Sequence, residues 1–200
     1  MRKTVRVAIT GGIGSGKSYV SQLISKQYGI PVYNCDNEAK RLNNESEEIR
    51  QKITELVGAD AYDANGILQK QVLAQYLFAN TQNAKRINDI IHPVVARDFE
   101  EWGSRQAQEA GIVAMECAIL FESGFDKLVD YTICVSAPQQ LCLERAMQRD
   151  KTDAEAIRRR MKQQLSDKTR SQKSDFVILN DGRELQPQIE SIIKQLNNIK

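Results

Sequence analysis

Two hundred residues, 41% hydrophobic and 27% charged, suffice for one domain or for a core carrying inserted segments. That composition excludes a disordered chain, and no apolar stretch approaches the roughly 20 residues of a membrane-spanning helix. The net charge of +2 conceals an asymmetry: residues 145–173 hold ten Lys or Arg against four acids, which leaves the remainder at −4. One basic segment on an acidic body suits either nucleic acid or closure over a highly charged small molecule. The cysteines at 35, 117, 134 and 142 form no C-x-x-C and have no histidines at zinc spacing, so they read as structural thiols. The chain passes from Met1-Arg2-Lys3 directly into an apolar run with no leader pattern, and a cytoplasmic location is expected.

The first apolar run, residues 5–10, predicts a buried strand. Gly11-Gly12-Ile13-Gly14-Ser15-Gly16-Lys17-Ser18 follows it, the pattern G-x-x-x-x-G-K-[ST] between a strand and a helix-forming segment. Glycines allow the backbone N–H groups to close on phosphate oxygens, and the next helix adds its positive N-terminus. Lys17 can reach the β- and γ-phosphates of a nucleoside triphosphate, and the Ser18 hydroxyl can ligate Mg²⁺. Gly12 to Tyr19 are therefore the candidate ATP-binding residues: Gly12, Ile13, Gly14, Ser15, Gly16, Lys17, Ser18 and Tyr19. The helix behind the loop carries Val20, Leu23 and Ile24 and stops near Gly29-Ile30-Pro31.

Residues 31–35 predict a second strand, and Asp36 ends it. Carboxyl ends of parallel strands face the ligand crevice, where a carboxylate can accept the proton of an attacking hydroxyl. The same aspartate could instead cap a helix beginning Asn37-Glu38-Ala39. The next strand run comes only at 112–117, about eighty residues later, far more than one crossover needs. The interval reads as helices over roughly 46–57, 69–79 and 84–109. The only histidine, His92, precedes Pro93, which predicts a break in the last of these and a restart at Pro93. Glu116 is an acid inside an apolar strand: it either faces outward at an edge or, if buried, needs a partner such as a basic group or the shell of a Mg²⁺ ion. Glu122 follows at the strand exit.

Strands at 131–135 and 176–179 complete a set of five, and the interval between them holds the basic segment. Arg145 and Arg149 share a helix face at i and i+4, and Thr152-Asp153-Ala154-Glu155 has the form of a capping box before Arg158, Arg159 and Arg160. Paired arginines suit a lid over a transferring phosphoryl group, and no interleaved aromatics favour nucleic-acid stacking. Ile189, Ile192, Ile193, Leu196 and Ile199 form the stripe of a final helix. Alternating strands and helices predict an α/β fold with a five-stranded parallel sheet covered on both faces. Its expected parts are a core over 1–36, 111–137 and 171–200, a helical substrate-binding insertion over 37–110, and a helical lid over 138–170. Strings resembling the GTPase signatures D-x-x-G and N-K-x-D occur at Asp63–Gly66 and Gln172–Asp175, but neither follows a strand.

Together these residues resemble the dephospho-coenzyme A kinase family. The matches are T-G-G-I-G-S-G-K-S at 10–18, G-I-L-Q-K and L-F-A-N within 66–80, I-I-H-P at 90–93 and A-I-L-F-E at 118–122. They continue as R-A-M-Q-R-D at 145–150, R-M-K-Q-Q at 160–164 and S-D-F-V-I-L-N-D-G at 174–182. The resemblance implies a P-loop three-layer fold and transfer of the γ-phosphate of ATP to the ribose 3′-hydroxyl of dephospho-CoA, with Mg²⁺. It implies Asp36 as base, with Lys17, Arg145 and Arg149 serving the transferring phosphate. Asp36, His92 and Glu122 would meet the acceptor, and Asn180 would lie by the nucleotide. It implies no nucleic acid, membrane or obligatory protein partner. The chain departs from the family pattern at Asn34, where an acid is usual, at Ala118, usually Pro, and at Tyr19, often Thr. The alternative is a kinase of the same fold acting on a nucleoside or nucleoside monophosphate.

Overall fold

The computed structural model describes residues 4–107 and 109–198. The Met1-Arg2-Lys3 start and Ile199 of the terminal stripe lie outside the described residues. Five strands form one parallel sheet: β1 (Val5–Thr10), β2 (Val32–Asn34), β3 (Ile112–Glu116), β4 (Tyr131–Ser136) and β5 (Phe176–Leu179), in the order β2-β3-β1-β4-β5. The registers Val7↔Ala114, Val7↔Tyr131 and Cys134↔Val177 tie the centre together. All five residues of β3 are buried, as a strand covered on both faces requires. The sheet residues Val5, Val7, Ile9, Ile112, Ala114, Ile133, Val135 and Ile178 share one core with helix α1 (Lys17–Tyr28) and the last helix of the chain. Connections from β1 and β4 run to opposite edges, so the crevice of this sheet lies at the carboxyl ends of those two neighbours.

The chain divides into two compact units, one of residues 1–33 and 102–200, the other of residues 34–101. In the second, α2 (Cys35–Glu45), α3 (Glu47–Val57) and α4 (Lys70–Ala79) precede the long α5 (Asn83–Gln106). The side chain of Asn34, not Asp36, caps α2 by accepting from the Asn37 N–H at 3.0 Å. Its amide oxygen performs the capping task that an acid would, and Asp36 is left in the first turn with its carboxylate uncommitted to that role. Helix α5 is continuous through Pro93, contrary to the expected break. Proline in a helix costs about 3 kcal/mol. Ile87, Ile91, Val94, Val95 and Phe99 are all buried around it, at about 1.5–3 kcal/mol each, so packing outweighs the missing hydrogen bond.

Arg41 holds α2 and α5 together through Glu38, Glu45 and Asp98 at 2.6–3.0 Å. These carboxylates, Glu38 foremost, hold its guanidinium well above the usual range. Asp63 uses one carboxylate oxygen on the N–H groups of Asn65 and Ile67, which makes Asp63–Gly66 a braced turn and removes the GTPase reading of it. Within the first unit, α6 (Leu120–Ser123), α7 (Gln139–Asp150), α8 (Ala154–Lys162), α9 (Asp167–Lys173) and α10 (Gln186–Asn198) complete the chain. Asp153 alone caps α8, accepting from Ala156 N–H, so Thr152 does not make the expected capping box. Asp175 accepts from both the N–H and the hydroxyl of Thr132, a clamp between the starts of β4 and β5 and not a base-reading group.

Candidate active site

The loop after β1 is shaped by residues outside it. Gly16 has φ 93, in the left-handed region, and a Cβ there would fall on the Asn180 amide. That amide donates to the Ser15 carbonyl at 2.8 Å, and the Asn180 N–H donates to Ser136 O at 2.8 Å. Asn180, expected beside the nucleotide, thus braces the back of the loop from the end of β5. Arg145 extends the chain of contacts by donating to the Asn180 carbonyl at 3.1 Å. Ile13 packs against Leu143, Ala146 and Ile157 of α7 and α8, and its N–H donates to Gln164 Oε1 at 3.1 Å.

Ser18 is the residue the sequence assigned to a metal. Its hydroxyl donates to Glu116 Oε1 at 2.5 Å. Glu116 ends β3 and is buried, and the hydroxyl supplies the partner that an acid in an apolar strand needs. Donation of the Ser18 proton to the carboxylate leaves the oxygen lone pairs open, so the pair fits a hard cation that keeps most of its other ligands as phosphate and water. No cluster of three or more His, Cys, Asp or Glu suited to a metal exists among the described residues, which excludes from them a cage built wholly of those side chains. Lys17 is half-buried at the start of α1 and forms no ion pair with the described residues of its unit.

Arg145 and Arg149 share a helix but not a partner. Arg149 is held by its neighbour Asp150 at 2.6 Å, which also takes Arg160 at 2.6 Å. Hydrogen bonds from Arg149 and then Arg160 push the Asp150 carboxyl down to about 2. Arg159 pairs with Glu155 and Arg145 donates to Asn180, so several arginines of the basic segment have partners within it or beside it. Glu122 is exposed, and its carboxylate accepts from the Leu165 N–H at 2.9 Å, tying the exit of β3 to the stretch between α8 and α9. The described cysteines are all free and buried, and burial pushes the Cys134 and Cys142 thiols up.

In the other unit, Asp36 is exposed and makes no hydrogen bond or ion pair within that unit. His92 is partly buried in α5, and burial lowers its imidazole from the usual value, with Asp89 opposing. It is therefore a neutral hydrogen-bonding group near pH 7. Two residues of this site were given no role from the sequence, although Gln164 lies in a family-matching string and Arg170 in the basic segment: Gln164 accepts from the Ile13 amide, and Arg170 is buried against Gly12. Both stand in a run of surface-like polar residues, and only the tertiary fold turns them inward.

A parallel five-stranded sheet with a phosphate loop after its central strand, and a carboxylate on the loop serine, defines a P-loop kinase. Solved structures share that fold: TT1252 of Thermus thermophilus at TM-score 0.78 and 30% identity, over 98% of this chain and 97% of that one. A Campylobacter jejuni dephospho-CoA kinase has TM-score 0.68 at 23% identity, over 96% of this chain and 97% of that one. The chain belongs to the dephospho-CoA kinase family, whose model matches residues 5–186. A dephospho-CoA kinase of Bacteroides fragilis is 43% identical over 94% of this chain and 91% of its own length. One of Porphyromonas gingivalis is 43% identical over 95% and 93%.

Proposed function

We propose that this chain transfers the γ-phosphoryl group of ATP to the ribose 3′-hydroxyl of dephospho-CoA, giving coenzyme A and ADP. The observation that carries the reading, beside family membership, is the Ser18–Glu116 pair at the mouth of a braced phosphate loop. The loop N–H groups and Lys17 hold the donor phosphates, and Ser18 with Glu116 behind it would hold Mg²⁺. Bound there, the ion would neutralise charge on the β- and γ-oxygens. Asp36 accepts the proton of the attacking hydroxyl, and its freedom from the cap of α2 supports that role. Arg145 and Arg149 act on the transferring phosphate from α7, within a lid over 138–170. The acceptor is held by the 37–110 insertion, with neutral His92 and Glu122 as further contacts.

The same reading makes the protein a cytoplasmic enzyme that needs no nucleic acid or protein partner. Four reduced, buried cysteines support it, and no described helix is long and apolar enough to cross a membrane. The test is ADP release from Mg-ATP with dephospho-CoA, adenosine and AMP compared as acceptors. Dephospho-CoA is expected to be preferred by orders of magnitude. Equal rates with all three would overturn the assignment in favour of a general nucleoside or nucleotide kinase.

A further inference from the structure

Arg170 sits in α9 and is only 5% exposed. Its Nη1 donates to the Leu165 carbonyl, and its Nη2 stands 3.8 Å from Asp167 Oδ1. The other Asp167 oxygen is already engaged by the Ser136 hydroxyl at 2.6 Å. Nε has no partner. A guanidinium buried with one distant, shared carboxylate lacks the compensation that a desolvated cation requires. It also lies against the phosphate loop, since a Cβ on Gly12 would fall on Nη2.

A second buried polar atom is unsatisfied nearby: Ser15 Oγ, in a residue 1% exposed. Arg170, Ser15 and Gly12 all line one cavity of about 500 Å³ beyond the carboxyl end of β4, and neither Lys17 nor Ser18 lines it. An uncompensated cation and an idle hydroxyl, on residues that line one chamber beside the phosphate loop, call for an anion with several acceptor oxygens.

We propose that Arg170 is a second basic ligand of the phosphoryl donor, contacting its terminal phosphate from the Gly12 side of the loop while Lys17 acts from α1. The inference rests on the reading of this loop as the ATP site and is independent of which acceptor the enzyme uses. Glu122 and Leu165 then have a positioning role: Glu122 fixes the Leu165 N–H, and the Leu165 carbonyl orients the guanidinium.

Donor binding without acceptor separates the possibilities. Kd is measured for Mg-ATP, Mg-ADP and inorganic tripolyphosphate on the wild type, Arg170→Lys and Arg170→Met, with the unfolding midpoint of each. For Arg170→Met, affinity for ATP and tripolyphosphate is expected to fall more than tenfold while that for ADP stays within twofold. Arg170→Lys is expected to recover part of the loss. Equal losses for ATP and ADP, or unchanged Kd values with only a lowered midpoint, would make Arg170 a structural residue and overturn the proposal. Should either variant fail to fold, the wild type answers through its arginine ¹⁵Nε–H spectrum. A buried arginine resonance that shifts with a non-hydrolysable ATP analogue and not with ADP supports the contact, and no such resonance contradicts it. A wild type that binds neither nucleotide would instead contradict the donor reading itself.

Discussion

The two units of this chain treat their functional side chains in opposite ways. Around the phosphate loop several polar groups are already engaged with one another: Ser18 with Glu116, Asn180 with Ser15, Arg145 with Asn180, Gln164 with Ile13. In the helical unit the ordered contacts run beside Asp36 without using its carboxylate. Arg41 spans Glu38, Glu45 and Asp98, while Asp36 itself is exposed and uncommitted within the unit. Preorganised donors suit a group that must meet the same triphosphate at every turnover, because no reorganisation accompanies charge development. A carboxylate that must pick up a proton from an incoming hydroxyl is better left without a partner that would lower its basicity.

If the loop unit is prewired, breaking one wire should be costly. Lys17→Ala removes a charge aimed at the transferring phosphate, and kcat is expected to fall about 10²–10³-fold in a steady-state assay. Glu116→Gln keeps the shape but weakens the hold on Ser18. The Mg²⁺ concentration for half-maximal rate is expected to rise about 10–100-fold, read from a metal titration at saturating ATP. An unchanged titration would detach Glu116 from the metal. Asn180→Ala leaves the Ser15 carbonyl without its donor. Calorimetry is expected to record a loss of about 1–3 kcal/mol together with weaker ATP binding.

Smaller effects sharpen the contrast from the surface side. The Asp150 carboxyl, held near 2 against an ordinary 3.8, contributes stability that is complete above about pH 4 and disappears as pH falls towards 2. A carbon-detected NMR titration should give an Asp150 midpoint near 2, and a midpoint near 3.8 would mean that the pairing with Arg149 and Arg160 does not persist. Arg41→Ala, in a half-exposed ionic fan, should cost about 1 kcal/mol or less and leave donor affinity unchanged.

Much of this contrast was not legible in the sequence, for a physical reason. The strands and the phosphate loop were, because continuous apolar runs and a glycine-lysine pattern are local signals. Gly29 also stops α1 as expected, with φ 64. Pro93 misled, since local steric preference lost to buried side chains on both sides of it. Thr152 and Asp153 differ by one position, and only the geometry of α8 decides which of them caps it. Glu116 was visible as an acid in an apolar strand without an evident partner, yet Ser18 stands 98 residues away. Arg170 could not be told from its basic neighbours, because its burial depends on α9 packing behind the loop.

The division of labour between the units is tested most directly at Asp36. For Asp36→Asn, kcat with dephospho-CoA and Kd for Mg-ATP should be measured on the same preparation. The account predicts a fall in kcat of about 10²–10⁴-fold with Kd unchanged within twofold, since only the proton acceptor has been removed. A kcat close to the wild-type value would contradict it, and would leave the loop unit as the sole source of catalysis.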